Sequence, residues 1–120
     1  MYTKYMGVLV PSIGGAPDWA KAETLYQDMR GWNQHTYNAT ATQSGWLSIE
    51  YTTGSVTSVE NKLTIDGNTV FLDRRLATTN TYEAYFEYLI PIADRSVWAL
   101  SLYGRHVVVK FIPPRIERKI

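Results

Sequence analysis

Residues 83–112, EAYFEYLIPIADRSVWALSLYGRHVVVKFI, constrain the fold of this chain more than any other stretch. Three short apolar runs are separated by two turn signals, Ala93-Asp94-Arg95 and Gly104-Arg105. In the first run Ala84, Phe86, Tyr88 and Ile90 fall on one side, and Glu83, Tyr85, Glu87 and Leu89 on the other. Pro91 has no N–H to give a ladder, so that strand's end belongs at an edge or a bulge. The second run places Trp98, Leu100 and Leu102 together, with Val97, Ala99 and Tyr103 behind. Gly104-Arg105 fits a two-residue type II′ hairpin. The consecutive Val107, Val108 and Val109 suit a strand covered on both faces. The spacing therefore predicts a three-stranded antiparallel meander around which the rest of the chain packs.

Upstream, residues 4–10 read as a strand stopped by Pro11, and the Gly/Pro-rich residues 11–17 as a loop. Residues 18–30 carry the pattern of an amphipathic helix. Asp18 stands at the N-cap, Gly31 follows the end, and Trp19, Ala22, Leu25, Tyr26, Met29 and Trp32 share an arc. Residues 33–45 alternate weakly and suit a strand or a polar loop. Residues 46–51 and 59–65 read as half-buried strands. Asp66-Gly67 is a hairpin signal of type I′, because both central positions need positive φ. The returning strand, residues 70–76, buries Val70 and Leu72, or Phe71 if the register slips by one.

The expected architecture is α+β: a twisted antiparallel sheet or partly closed barrel of six to eight strands with one N-terminal helix packed on it. A chain of 120 residues supports a single domain with its own core. Residues 113–120, opened by Pro113-Pro114 and carrying Ile116 and Ile120 beside basic side chains, form an expected arm that docks on a neighbour. One helix of 13 residues is only about 20 Å long and covers part of one face of the meander. The other face must meet a second layer, close into a barrel or meet another subunit.

Composition narrows the chemistry. There is no Cys, hence no disulfide, thiolate nucleophile or Cys-ligated metal. Twelve basic against eleven acidic residues give +1, which is no electrostatic footprint for nucleic acid. The apolar run near the start is too short for a membrane span or a signal-peptide core, so the chain is expected to be cytoplasmic, or part of a virion if its source is viral. Nine Tyr and four Trp suit a β-rich core and equally a binding face.

No nucleophile motif, metal-ligand spacing or phosphate-binding loop is present, so neither a metal nor another cofactor is expected. The only histidines, His35 and His106, provide one catalytic alternative: a metal-independent ribonuclease with the two imidazoles as general acid and base and Lys110 stabilising the phosphorane. A second alternative is a single-stranded nucleic-acid binder stacking bases on Tyr82, Tyr85, Tyr88 and Tyr103 beside Arg95 and Arg105, with Glu83 and Glu87 opposing it. The leading expectation is a non-enzymatic structural or protein-binding module that self-assembles or docks on a protein partner. A small viral or phage accessory protein suits that profile. Its interface is expected at Tyr85, Leu89, Trp98, Tyr103, Ile116 and Ile120.

Overall fold

Among the described residues every regular segment but one is extended. The computed structural model describes residues 2–5, 8–11, 13, 15–54, 59–75 and 83–115. Among these lie strands β1 (Tyr2–Tyr5), β2 (Val8–Pro11), β3 (Glu23–Asp28), β4 (Asn33–Thr40), β5 (Gly45–Gly54), β6 (Val59–Ile65), β7 (Asn68–Arg75), β8 (Glu83–Ile92) and β9 (Val97–Ile112), with a 3₁₀ turn at Trp19–Lys21. β1 and β2 pair with each other, and the other seven strands form one antiparallel sheet.

β9 organises that sheet. Its first half, residues 97–104, lies between β4 and β6; its second half, residues 107–112, lies between β3 and β5. β3 and β4 therefore run end to end along one side of β9, and β5 and β6 along the other. β7 flanks β6, and β8 flanks β5.

The sheet cannot be flat. A straight 16-residue strand spans about 53 Å at 3.3 Å per residue. Yet Ala41 donates its N–H to Ser96, just before β9, while Gly45 lies against the carbonyl of Ile112 at its far end. The four steps from Ala41 to Gly45 reach at most about 14 Å. β9 must double back, and the sheet curls with it into a half-barrel.

The bend is a β-bulge. Glu50 pairs with Val108 and Thr52 with Arg105, so His106 and Val107 together face the single residue Tyr51. His106 takes the left-handed φ of 53° that the extra residue requires. Before the bulge the even positions Trp98, Leu100 and Leu102 point inward; after it the odd positions Val107 and Val109 do. Without one inserted residue, the second half would turn its valines to the outside. Both halves instead feed one core with Leu47, Ile49 and Tyr51 of β5, Leu63 of β6, and Val70 and Leu72 of β7.

Several expectations need correcting. Residues 18–30 are not a helix. Asp18 makes no side-chain cap; its N–H goes to the carbonyl of Pro113, and after the 3₁₀ turn β3 pairs with β9. A bulge at Leu25 turns both Leu25 and Tyr26 toward the core, which imitates a helical stripe in sequence. Of the other members of that stripe, Trp19 and Met29 are each 54% exposed and Trp32 is 36% exposed. The meander is also replaced: β8 and β9 are separated by β5, and Gly104-Arg105 is a bend inside β9 where a hairpin was expected. Residues 4–10 divide into two short paired strands, β1 and β2.

Other readings hold. β8 is an edge strand, which accommodates Pro91. Asp66 and Gly67 have φ of 49° and 83°, as a type I′ turn demands. Val70 and Leu72 are buried while Phe71 is exposed.

The bend makes specific demands. A Cβ at Gly104 would stand 2.7 Å from the carbonyl oxygen of Thr52, whereas one at Gly31 would meet nothing within 4 Å. Gly104→Ala is expected to destabilise the fold by about 1–3 kcal/mol in urea denaturation, and Gly31→Ala to change it by no more than about 0.5 kcal/mol. His106→Gly relieves the left-handed strain and is expected to stabilise by about 0.5–1 kcal/mol after the entropy of glycine is set against it. A loss of stability in His106→Gly would contradict this account of the bulge.

Candidate functional site

Two polar clusters stand out, one inside the corner and one on the outer surface. The inner cluster forms where β3 passes into β4 opposite the bend of β9. His35, on the inward side of β4, is 2% exposed. Its Nε2 lies 3.2 Å from the carbonyl oxygen of Gly104, and its Nδ1 lies 2.7 Å from the hydroxyl of Tyr26. A carbonyl only accepts, so Nε2 carries the proton, and in the neutral ring Nδ1 accepts from the Tyr26 hydroxyl. An Asp28 carboxylate oxygen is 3.9 Å from Nδ1 and 2.9 Å from the Arg30 guanidinium.

The hydrogen bonds from the Arg30 side chain and backbone hold the Asp28 carboxyl well below the usual carboxylate range. Burial, with the negative charge of Asp28 adding to it, raises the Tyr26 hydroxyl above its ordinary value. This chain of contacts ties β3, β4 and the bend of β9 together. It leaves no nitrogen of His35 facing solvent.

His106 belongs to the same corner but sits on its outside, exposed at the bulge. Lys110 lies further along the outer side of β9, between Thr24 and Ser48. The histidines thus approach the corner from opposite sides of the sheet. A general acid–base pair must reach a common substrate, and the two bonds made by the buried His35 ring are spent within the fold.

The other residues singled out from sequence are dispersed. Trp98 is 2% exposed and belongs to the core, so it offers no docking surface. Tyr103 is half-buried and stacks on Trp32 at 6.3 Å and 13°, and Arg105 lies 5.0 Å over the same indole while pairing with Glu83 at 2.5 Å. Tyr88 turns inward against Tyr51 and bonds the carbonyl of Leu72. Arg95 is exposed in the turn before β9 with φ of 68°. Ile116, Ile120 and Tyr82 lie outside the described residues.

Tyr85 and Leu89 meet at the second cluster, on the outer face of β5 and β8. Register places Thr52 beside Tyr85, Glu50 beside Glu87 and Ser48 beside Leu89. The Tyr85 hydroxyl is 2.8 Å from a carboxylate oxygen of Glu50 and 2.9 Å from one of Glu87. Desolvation, and then its bonds to these two carboxylates, push the Tyr85 phenol above its ordinary value. A cleft of about 300 Å³ opens beside the pair, bordered by Trp19, Ser48, Glu50, Glu87 and Leu89. Trp19 is carried there by the 3₁₀ turn, whose preceding residue Asp18 is hydrogen-bonded to Pro113.

Sequence reasoning missed Trp19, Ser48 and Glu50 as site residues. Glu50 was legible as outward-facing on its strand, but its juxtaposition with Glu87 depends on β5 pairing β8, which spacing alone does not reveal. Among the described residues no three His, Cys, Asp or Glu side chains are grouped to hold a metal, and no helix is long and apolar enough to cross a membrane. No protein-family model and no curated protein matches the chain.

The corner cluster should be visible in stability. Tyr26→Phe removes the bond to His35 and is expected to cost about 1 kcal/mol. For Asp28 the folded carboxyl titrates below its ordinary 3.8, so the stability it confers is complete above about pH 4 and is lost as pH falls toward its folded value. Denaturation midpoints measured from pH 6 to pH 2 should fall less steeply in Arg30→Ala than in the parent chain. Parallel profiles would remove Asp28–Arg30 from the acid response.

Proposed function

We propose that the chain is a non-enzymatic structural or protein-binding module that docks on a protein partner, another copy of itself included, through the outer face of β5 and β8. The observation that carries this reading is the arrangement of Trp19, Tyr85 and Leu89 around the Glu50–Glu87 pair. Trp19 and Tyr85 are 54% and 55% exposed, although the core of this chain has room for Trp98 and Tyr51. Aromatic side chains left outside a filled core, bordering a cleft with a few placed polar groups, have the make-up of a recognition surface. The surface is rigid because both strands are held in a continuous ladder of ten paired residues. Preformed geometry favours docking, since less side-chain freedom is lost on contact.

The reading is tested by native mass spectrometry together with affinity capture, comparing the parent chain with Leu89→Glu. Leu89 borders the cleft and is not among the residues of the core cluster. Oligomers or a captured protein partner are expected for the parent, reduced at least about tenfold in Leu89→Glu, which corresponds to about 1.4 kcal/mol of docking energy. A strictly monomeric parent whose capture profile is identical to that of Leu89→Glu would sink the proposal.

A further inference from the structure

The outer cleft carries an unbalanced charge. Glu50 and Glu87 stand directly opposite each other on paired strands, where like charges repel. Both carboxylates take the Tyr85 hydroxyl as neighbour, at 2.8 and 2.9 Å. A phenol has one hydrogen, so it donates to one carboxylate and leaves the other facing an oxygen. Among the described residues no Lys or Arg makes an ion pair with either. Lys110, the nearest basic residue by register, stands opposite Ser48 and is paired with neither.

A second observation at the same place is independent of the carboxylates. Ser48 is 5% exposed, borders the cleft, and points to the same side of β5 as Glu50. Its hydroxyl makes no hydrogen bond to any described residue. Its oxygen is not among the fully enclosed polar atoms that lack a partner, and the direction in which it opens is the cleft. The wall beside it is the indole of Trp19, the aromatic surface that holds a cation best.

Two adjacent carboxylates, a hydroxyl that opens to the cleft with its acceptor lone pairs free, and an indole wall together make one demand. They call for a group that is positively charged, donates several hydrogen bonds and tolerates an aromatic face. We propose that this cleft binds an organic cation, the ammonium of a lysine or the guanidinium of an arginine presented by the docking partner. The assignment rests on the protein-binding reading of the same face. The cleft, at about 300 Å³, lies at the small end of ligand pockets and suits a single side-chain terminus.

The test titrates the full chain with Nα-acetyl-lysine methylamide, Nα-acetyl-arginine methylamide and, as the neutral isostere, Nα-acetyl-norleucine methylamide. Amide and indole NMR signals are followed. A saturable shift at the Trp19 indole and at the Ser48, Glu50 and Glu87 amides is expected from a cationic probe, and none from norleucine. Glu50→Gln and Glu87→Gln should each weaken that binding by about tenfold with the rest of the spectrum unchanged, which keeps the result separate from misfolding. Equal response to norleucine, no response to either cation, or response unaltered in both Gln variants would overturn the assignment. So would saturation by calcium ions with no response to the organic probes.

The two proposals fail separately. Cation binding without any Leu89-dependent assembly retains the site as one for a free organic cation and removes the docking reading. Leu89-dependent assembly without cation binding does the reverse.

Discussion

The fold depends on a parity constraint in one strand. Side chains alternate in a β-strand, so a 16-residue strand presents one fixed set of positions to each side. β9 presents its even positions inward up to Leu102 and the odd positions Val107 and Val109 inward after the bulge. Only an inserted residue permits that exchange, and His106 is the insertion. The same bulge bends the strand, and the bend brings the two halves to face each other across a common core. Curl, core and register are therefore consequences of a single backbone irregularity. Gly104 serves it by permitting the backbone of β5 to approach, and His35 by donating to the Gly104 carbonyl from inside.

The corner also explains why β3 and β4 are separate strands. A continuous strand along that edge of β9 would have to follow the bend with every residue in register. The chain instead leaves the ladder at residues 29–32, where Arg30 grips Asp28 and Trp32 covers Tyr103 and Arg105. These contacts join the loop to the bulge from the outside while Tyr26 and His35 join it from the inside. The two strongest sequence signals for catalysis, the histidines, are both absorbed by this junction. His106 supplies a left-handed residue and His35 an internal donor and acceptor.

Alternation was readable wherever a strand is half-buried. Leu47, Ile49 and Tyr51, Leu63 and Ile65, and Trp98, Leu100 and Leu102 were each placed on one face by period alone, and all are in the core. The Asp66-Gly67 turn was readable because its chemistry is local. Bulges defeated the reading in two places, since each breaks the period that identifies a strand. Leu25 next to Tyr26 resembled a helical face, and Gly104-Arg105 resembled a hairpin turn. Pairing order was hidden for a different reason. β8 and β9 are consecutive in sequence, yet β5 separates them, and nothing in the alternation of either strand records which neighbour it will choose. The outer cluster inherits that blindness: Tyr85 and Leu89 were legible as outward-facing, whereas their meeting with Glu50 and Trp19 was not.

Charge placement separates the outer cleft from the rest of the surface. The chain is nearly neutral, with +1 overall, and three Arg–carboxylate pairs stand among the described residues. Arg30 meets Asp28, Arg74 meets Glu60, and Arg105 meets Glu83. The first lies at the corner, the second joins adjacent strands and the third reaches from β9 over β5 to β8, and partly exposed pairs of this sort add little stability. Glu50 and Glu87 depart from the pattern, because the sheet register sets one carboxylate beside the other with a phenol in place of a base. For folding alone, a Glu–Lys pair at these positions would be better, since opposite charges across a ladder attract. A paired acid held this way, beside a hydroxyl that opens to the same cleft, is the arrangement from which the proposal of an incoming positive group is argued.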